Sequence, residues 1–88
     1  MKMRPQLLLL DGCTVSVQAN AWVYCFPRED DAESYGSVEA WFFDPEGNEL
    51  TDEPLAFLPA KDLMKMIKKH GGIVKGELPP LRLGDEEE

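Results

Sequence analysis

Residues 14–43 read TVSVQANAWVYCFPREDDAESYGSVEAWFF, and their reading decides what this chain can fold into. Both tryptophans, both tyrosines, three of the four phenylalanines and one of the two cysteines fall in this stretch, so any fold must bury part of it. Residues 14–18 alternate, with Val15 and Val17 on one side and Thr14, Ser16 and Gln18 on the other, the period of a strand with one wet face. Residues 35–43 alternate in the same way, Val38, Ala40 and Phe42 opposing Glu39, Trp41 and Phe43. Residues 22–26 also read as a strand, with Trp22, Tyr24 and Phe26 opposing Val23 and Cys25. Apolar residues on both sides suit a central strand covered on both faces, or an aromatic face left open for a partner. Pro27 stops that strand because it has no N–H for the ladder.

On the N-terminal side, the apolar run of residues 6–10 ends at Asp11-Gly12. Asp-Gly between apolar stretches predicts a hairpin with a type I′ turn, since both residues tolerate positive φ. On the C-terminal side, Asp44-Pro45-Glu46-Gly47-Asn48 is a turn by chemistry: Asp bonds to nearby backbone, Pro fixes φ and Gly accepts positive φ. The same turn resembles one in the glyoxalase and bleomycin-resistance family, where it precedes a metal-binding Glu. Here Thr51 stands in that place with no companion His, so the likeness ends with the turn.

Residues 55–58 form a short last strand before a helix over residues 60–70. Leu63, Met64 and Ile67, with Met66 or His70, fall on one stripe, while Lys61, Lys65, Lys68 and Lys69 lie largely outside it. Pro59 suits the first helical turn, Gly71-Gly72 the left-handed stop, and His70 a position answering the last free carbonyls. Ile73 and Val74 return the chain to the sheet. The expectation is an α+β fold: a mostly antiparallel sheet of four to five strands with one C-terminal amphipathic helix packed on one face. Residues 1–76 form the single domain, and residues 77–88 an extended Pro-containing segment with a disordered acidic tail.

A chain of 88 residues buries only about 60 to 65% of its unfolded surface, which implies modest stability and no large substrate cavity. The longest early apolar cluster is four residues, shorter than a signal or membrane segment needs, so a cytoplasmic protein without a membrane partner is expected. Cys13 and Cys25 are expected to be free thiols unless their Cα atoms lie within about 7 Å. Their spacing with the single His70 matches no zinc pattern. The acidic run of residues 29–33 lacks the ligand alternation and glycine of a calcium loop. No cofactor or metal is expected.

Charge is the most informative feature of the composition. Within a formal net charge of −8, residues 27–54 hold ten acids against Arg28 alone. Residues 59–76 hold five lysines against Asp62. The acidic part repels phosphate, which disfavours direct nucleic-acid binding there and favours a basic protein surface as partner. The expected contact residues are Arg28, Glu29, Asp30, Asp31, Glu33 and Glu39, with Trp41 as aromatic anchor. Two competing expectations are self-association into a homodimer, through a strand edge or the Trp41 and Phe43 face, and a small thiol enzyme. The latter would pair Cys25, beside the cation of Arg28, with His70.

Val15-Ser16-Val17-Gln18-Ala19, Tyr24-Cys25-x-Pro27-Arg28, Tyr35, Val38-Glu39, Leu58-Pro59 and His70-Gly71-Gly72 together resemble small accessory proteins encoded by phages and prophage regions. The likeness spans roughly residues 13 to 73. It implies a non-enzymatic protein acting in the host cytoplasm, of the kind that binds and inhibits a host defence complex; anti-CRISPR proteins are the best-known example. The partner would be a basic surface of a host protein or ribonucleoprotein. Trp22, Phe26 and Trp41 depart from the pattern, standing where more polar residues are expected, and mark a partner surface particular to this chain.

Overall fold

The alternation in residues 14–18 and 37–43 is realised as the centre of a sheet in the computed structural model, which describes residues 3–83. The strands are β1 (Leu7–Leu9), β2 (Thr14–Gln18), β3 (Ser37–Phe43), β4 (Leu55–Pro59) and β5 (Ile73–Lys75), with α1 (Ala60–Lys69) between the last two. They form one antiparallel five-stranded sheet in the order β4-β3-β2-β1-β5. The fold is α+β. Opposite partners Val15 and Phe42, and Val17 and Ala40, place the apolar set of β2 and β3 on one face. Ser16 with Trp41 and Gln18 with Glu39 lie on the other. A slip of one residue would turn every one of these side chains to the wrong face, so the pattern specifies the register.

The helix covers the apolar face. Ala60, Leu63 and Ile67 are buried at spacings of three and four, Met64 and Met66 pack beside them, and Lys61, Lys65, Lys68 and Lys69 remain exposed. Pro59 closes β4 and serves as N-cap, one position earlier than its expected place in the first turn. The Ala60 N–H donates to Gly36 O at 2.9 Å, answering one of the N–H groups the helix leaves free. At the other end, Gly72 N–H donates to Ile67 O and Gly71 N–H to Lys68 O, both at 3.0 Å, with both glycines at positive φ. This is a Schellman stop.

Three expectations need correction. The Asp11-Gly12 hairpin exists, but its loop is three residues, 10–12, closed by Gly12 N–H to Leu9 O. Only Gly12 takes positive φ, so Asp11 is free to use its carboxylate on the Cys13 N–H at 3.0 Å. Residues 22–26 are not a strand: a single bridge links Phe26 to Ser37. The competing element is Asn20, whose Oδ1 accepts the N–H groups of Trp22 and Val23 and so turns the backbone out of the sheet. The third concerns Tyr35, which lies outside β3 and is fully buried.

The chain past residue 76 also packs. Pro79 is buried, Leu78 and Leu81 pack against the core, and Tyr35 exchanges backbone bonds with Pro80 and Arg82, each at 2.8 Å. The extended Pro-containing segment is thus strapped along Tyr35; the acidic residues 84–88 lie outside the described residues. Among the described residues, no helix is long and apolar enough to cross a membrane.

Candidate functional site

Eighteen residues separate β2 from β3 with no helix or strand among them, a length that in a small domain usually marks a functional loop. Its frame is built from inward-facing groups. Asn20 is buried and holds two backbone N–H groups. Cys25 is buried, and its thiol donates to Asn20 O at 3.3 Å or Pro27 O at 3.4 Å. The Tyr35 hydroxyl donates to Glu29 O and accepts from the Ala32 N–H. The Phe26–Pro27 peptide is cis, and the Gly36 N–H donates to Phe26 O at 2.9 Å.

This frame turns the aromatic residues outward. Burial alternates from Trp22 to Phe26, so that Trp22, Tyr24 and Phe26 are 68%, 53% and 61% exposed while Cys25 is sealed. Phe57 on β4, 51% exposed, joins them: its ring centroid lies 5.7 Å from that of Tyr24, and its N–H donates to Tyr24 O at 3.0 Å. Arg28 joins this group, its guanidinium carbon 5.3 Å from the Tyr24 ring centroid. Phe57 has a φ of 51°, in the left-handed region that a bulky residue occupies at a cost of roughly 1–3 kcal/mol. It sits in the irregularity where β4 passes from Leu58, paired with Val38, to Leu55, paired with Ala40. The bulge aims its ring at Tyr24.

The expected contact residues divide between two places. Arg28, Glu29, Asp31 and Glu33 are exposed on the loop beside the aromatic patch, and Asp30 anchors the loop by accepting the Ala21 N–H at 3.1 Å. Glu39 and Trp41 lie on the sheet face away from the helix, in a shallow groove shared with Ser16, Gln18 and Pro54. Trp41 is only partly exposed, with its ring 5.2 Å from Phe43 and its Nε1–H donating to Thr51 O. It offers less free surface than Trp22 or Phe26. Phe57 was missed as a contact residue because nothing in a strand pattern announces a positive φ.

The pairing of Cys25 with His70 is not formed. Phe26 bridges Ser37 at one end of β3, whereas His70 stacks on Phe42 near the other, five residues or about 16 Å along the strand. Burial pushes the Cys25 thiol above its ordinary pKa, an effect that outweighs the Arg28 cation. What His70 meets instead is the β1–β2 turn: Nδ1 lies 2.6 Å from Asp11 Oδ2, rather than on the free carbonyls expected of it. That contact and the Cys13 N–H hold the Asp11 carboxyl below its usual range. Cys13, buried next to Asp11, is pushed up first by burial and then by the carboxylate. Asp11, Cys13 and His70 thereby bring three potential ligand atoms within 4.8 Å of one another, a grouping no spacing in the sequence reveals. Both cysteines are free thiols. No protein-family model, curated protein or solved structure matches this chain.

Proposed function

We propose that this chain is a non-enzymatic binding module whose aromatic patch, Trp22, Tyr24, Phe26 and Phe57, docks on a partner while the acidic loop of residues 29–33 meets basic side chains around it. One observation carries the reading: half of the eight aromatic residues lie more than half exposed in a chain small enough to need them in its core. Large aromatic rings in solvent reduce solubility and stability unless a partner covers them, and rigid rings ringed by charge are the composition of interface hot spots. The frame of Asn20, Cys25 and Tyr35 supports this reading because it holds the patch in place before binding, which lowers the ordering cost of association.

The acidic rim directs the module to a cationic surface, such as the Lys- and Arg-lined groove of a nucleic-acid-binding complex, where carboxylates replace phosphates. The resemblance of residues 13 to 73 to phage accessory proteins supports a host defence complex in the cytoplasm as that partner and inhibition as the outcome. Self-association is favoured less, because one edge strand, β5, is only three residues long and carries Lys75, and the other, β4, is bent by its irregularity at Phe57 and ends at Pro59, features that blunt edge pairing.

The test uses the immobilised chain to capture a partner from host lysate, followed by affinity measurement with the purified partner. Trp22→Ser with Phe26→Ser should cost about 2 kcal/mol or more of binding, and Glu29→Lys with Glu33→Lys should slow association and flatten its salt dependence. Lys65→Glu on the exposed helix face should do neither. Equal affinity of the two double variants and the wild type would exclude the patch as the binding surface.

A further inference from the structure

We propose that Asp11, Cys13 and His70 form a binding site for one zinc-class divalent ion that ties the β1–β2 turn to the C-terminal end of α1. A thiol, an imidazole and a carboxylate are the three donor types that zinc accepts, and here one atom of each lies within 4.8 Å of the other two. Zinc bound at about 2.0–2.3 Å would hold such atoms roughly 3.3–3.8 Å apart, so small side-chain rotations open the Asp11–His70 contact and draw the sulfur in. Three protein donors leave a fourth position for water.

The backbones on both sides are already locked. The Asp11 N–H donates to His70 O at 3.2 Å and the Leu10 N–H to Gly72 O at 3.0 Å. Gly71 permits this approach, since a Cβ there would stand 2.7 Å from Leu10 Cβ. Two contacts fix the donors' orientation: Asp11 Oδ1 accepts the Cys13 N–H, as ligating carboxylates do, and the His70 ring is stacked 5.7 Å from Phe42. Cys13 is buried, while the half-exposed Asp11 gives an ion its route from solvent.

The surface pair of Asp11 and His70 alone stabilises little, and it makes no use of the sulfur. A metal using all three donors would join residues 59 apart in sequence, restricting the unfolded chain in a domain whose core is small. Binding transfers the Cys13 thiol proton to solvent, leaving a thiolate on the ion.

The experiment titrates the full, untagged chain with Co²⁺ under reducing conditions. One equivalent should produce a near-ultraviolet thiolate-to-cobalt charge-transfer band with visible bands of a four-coordinate ion, and Zn²⁺ should displace both. Cys13→Ser should remove the charge-transfer band and Cys25→Ser should keep it. His70→Gln and Asp11→Asn should each weaken Co²⁺ binding by more than the roughly 10- to 100-fold loss expected from an outer-shell partner. Zn²⁺ should raise the Tm of the wild type and not that of His70→Gln; this partly exposed position carries the test if Cys13→Ser does not fold. No charge-transfer band at millimolar Co²⁺ with the folded wild type, the same band in folded Cys13→Ser, or unchanged binding by His70→Gln would overturn the proposal.

Discussion

The two ends of β3 are built on opposite plans. At the Phe42 end, the two tight turns are each closed by their own carboxylate, Asp11 on Cys13 and Asp44 on Glu46 and Asn48, and among the described residues no exposed aromatic ring gathers there. At the Ser37 end, a long excursion buries its polar groups, Asn20 and the Tyr35 hydroxyl, and leaves Trp22, Tyr24 and Phe26 in solvent. A loop that exposes its aromatic rings while sealing hydrogen-bonding groups relies on specific bonds alongside the burial of Ala19, Cys25 and Tyr35. The difference teaches that the two ends use their side chains differently: the first gathers polar and ligating groups against the packed sheet, and the second holds out the aromatic surface proposed for binding.

The largest effect should come from breaking the packed end. Phe42→Ala removes a fully buried ring that also supports His70, and should cost about 3–5 kcal/mol in urea denaturation. A smaller loss would mean that the helix closes over the gap. Asn20→Ala should cost about 1–3 kcal/mol, since the Trp22 and Val23 N–H groups lose their acceptor. Hydrogen exchange should place that loss within residues 19–36; protection lost equally across β2 and β3 would show that the loop and the sheet fold as one unit.

Phe57→Gly sharpens the contrast further. Relief of the left-handed strain opposes the loss of the half-exposed ring, so stability should stay within about 1 kcal/mol of wild type while partner affinity falls. A loss of stability much larger than this would make Phe57 a structural residue.

The smallest effect concerns acid. The Asn48 N–H, then its side-chain amide and the N–H groups of Glu46 and Gly47, hold the Asp44 carboxyl below its unfolded value of 3.8. A depressed folded pKa stabilises above the unfolded value and loses that contribution as pH falls through the folded one. The Tm difference between wild type and Asp44→Ala should therefore be constant at neutral pH and shrink below about pH 4. A difference that persists unchanged to strongly acidic pH would show that the neutral carboxyl serves the turn equally well.

Much of the fold is legible because its signals are local. Val15 and Val17, Val38, Ala40 and Phe42, and Leu63 with Ile67 announce their elements by periods of two or of three to four, and each is buried as those periods require. Residues 22–26 carry the same period of two, with the same inside and outside, yet make no strand. Alternation reports which side chains turn inward; it does not report whether the backbone finds a ladder, and Asn20 took the N–H groups first. The acidic loop was legible as exposed charge, whereas the partial covering of Trp41 depended on where Phe43 and Thr51 came to rest.

By itself, the sequence determined the α+β class, the β1–β2 hairpin, the turn after Phe43, the helix with its glycine stop, and the acidic character of one segment; the strand order came from the structure. Each rests on neighbours within a few residues, where propensity, turn chemistry and charge act directly. Tertiary structure alone decided that four aromatic rings from two separate segments stand outside the core, and that Asp11 and Cys13 meet His70. Those arrangements join residues far apart along the chain, and contacts across such separations follow from how the helix and loop settle on the finished sheet, which no local spacing encodes.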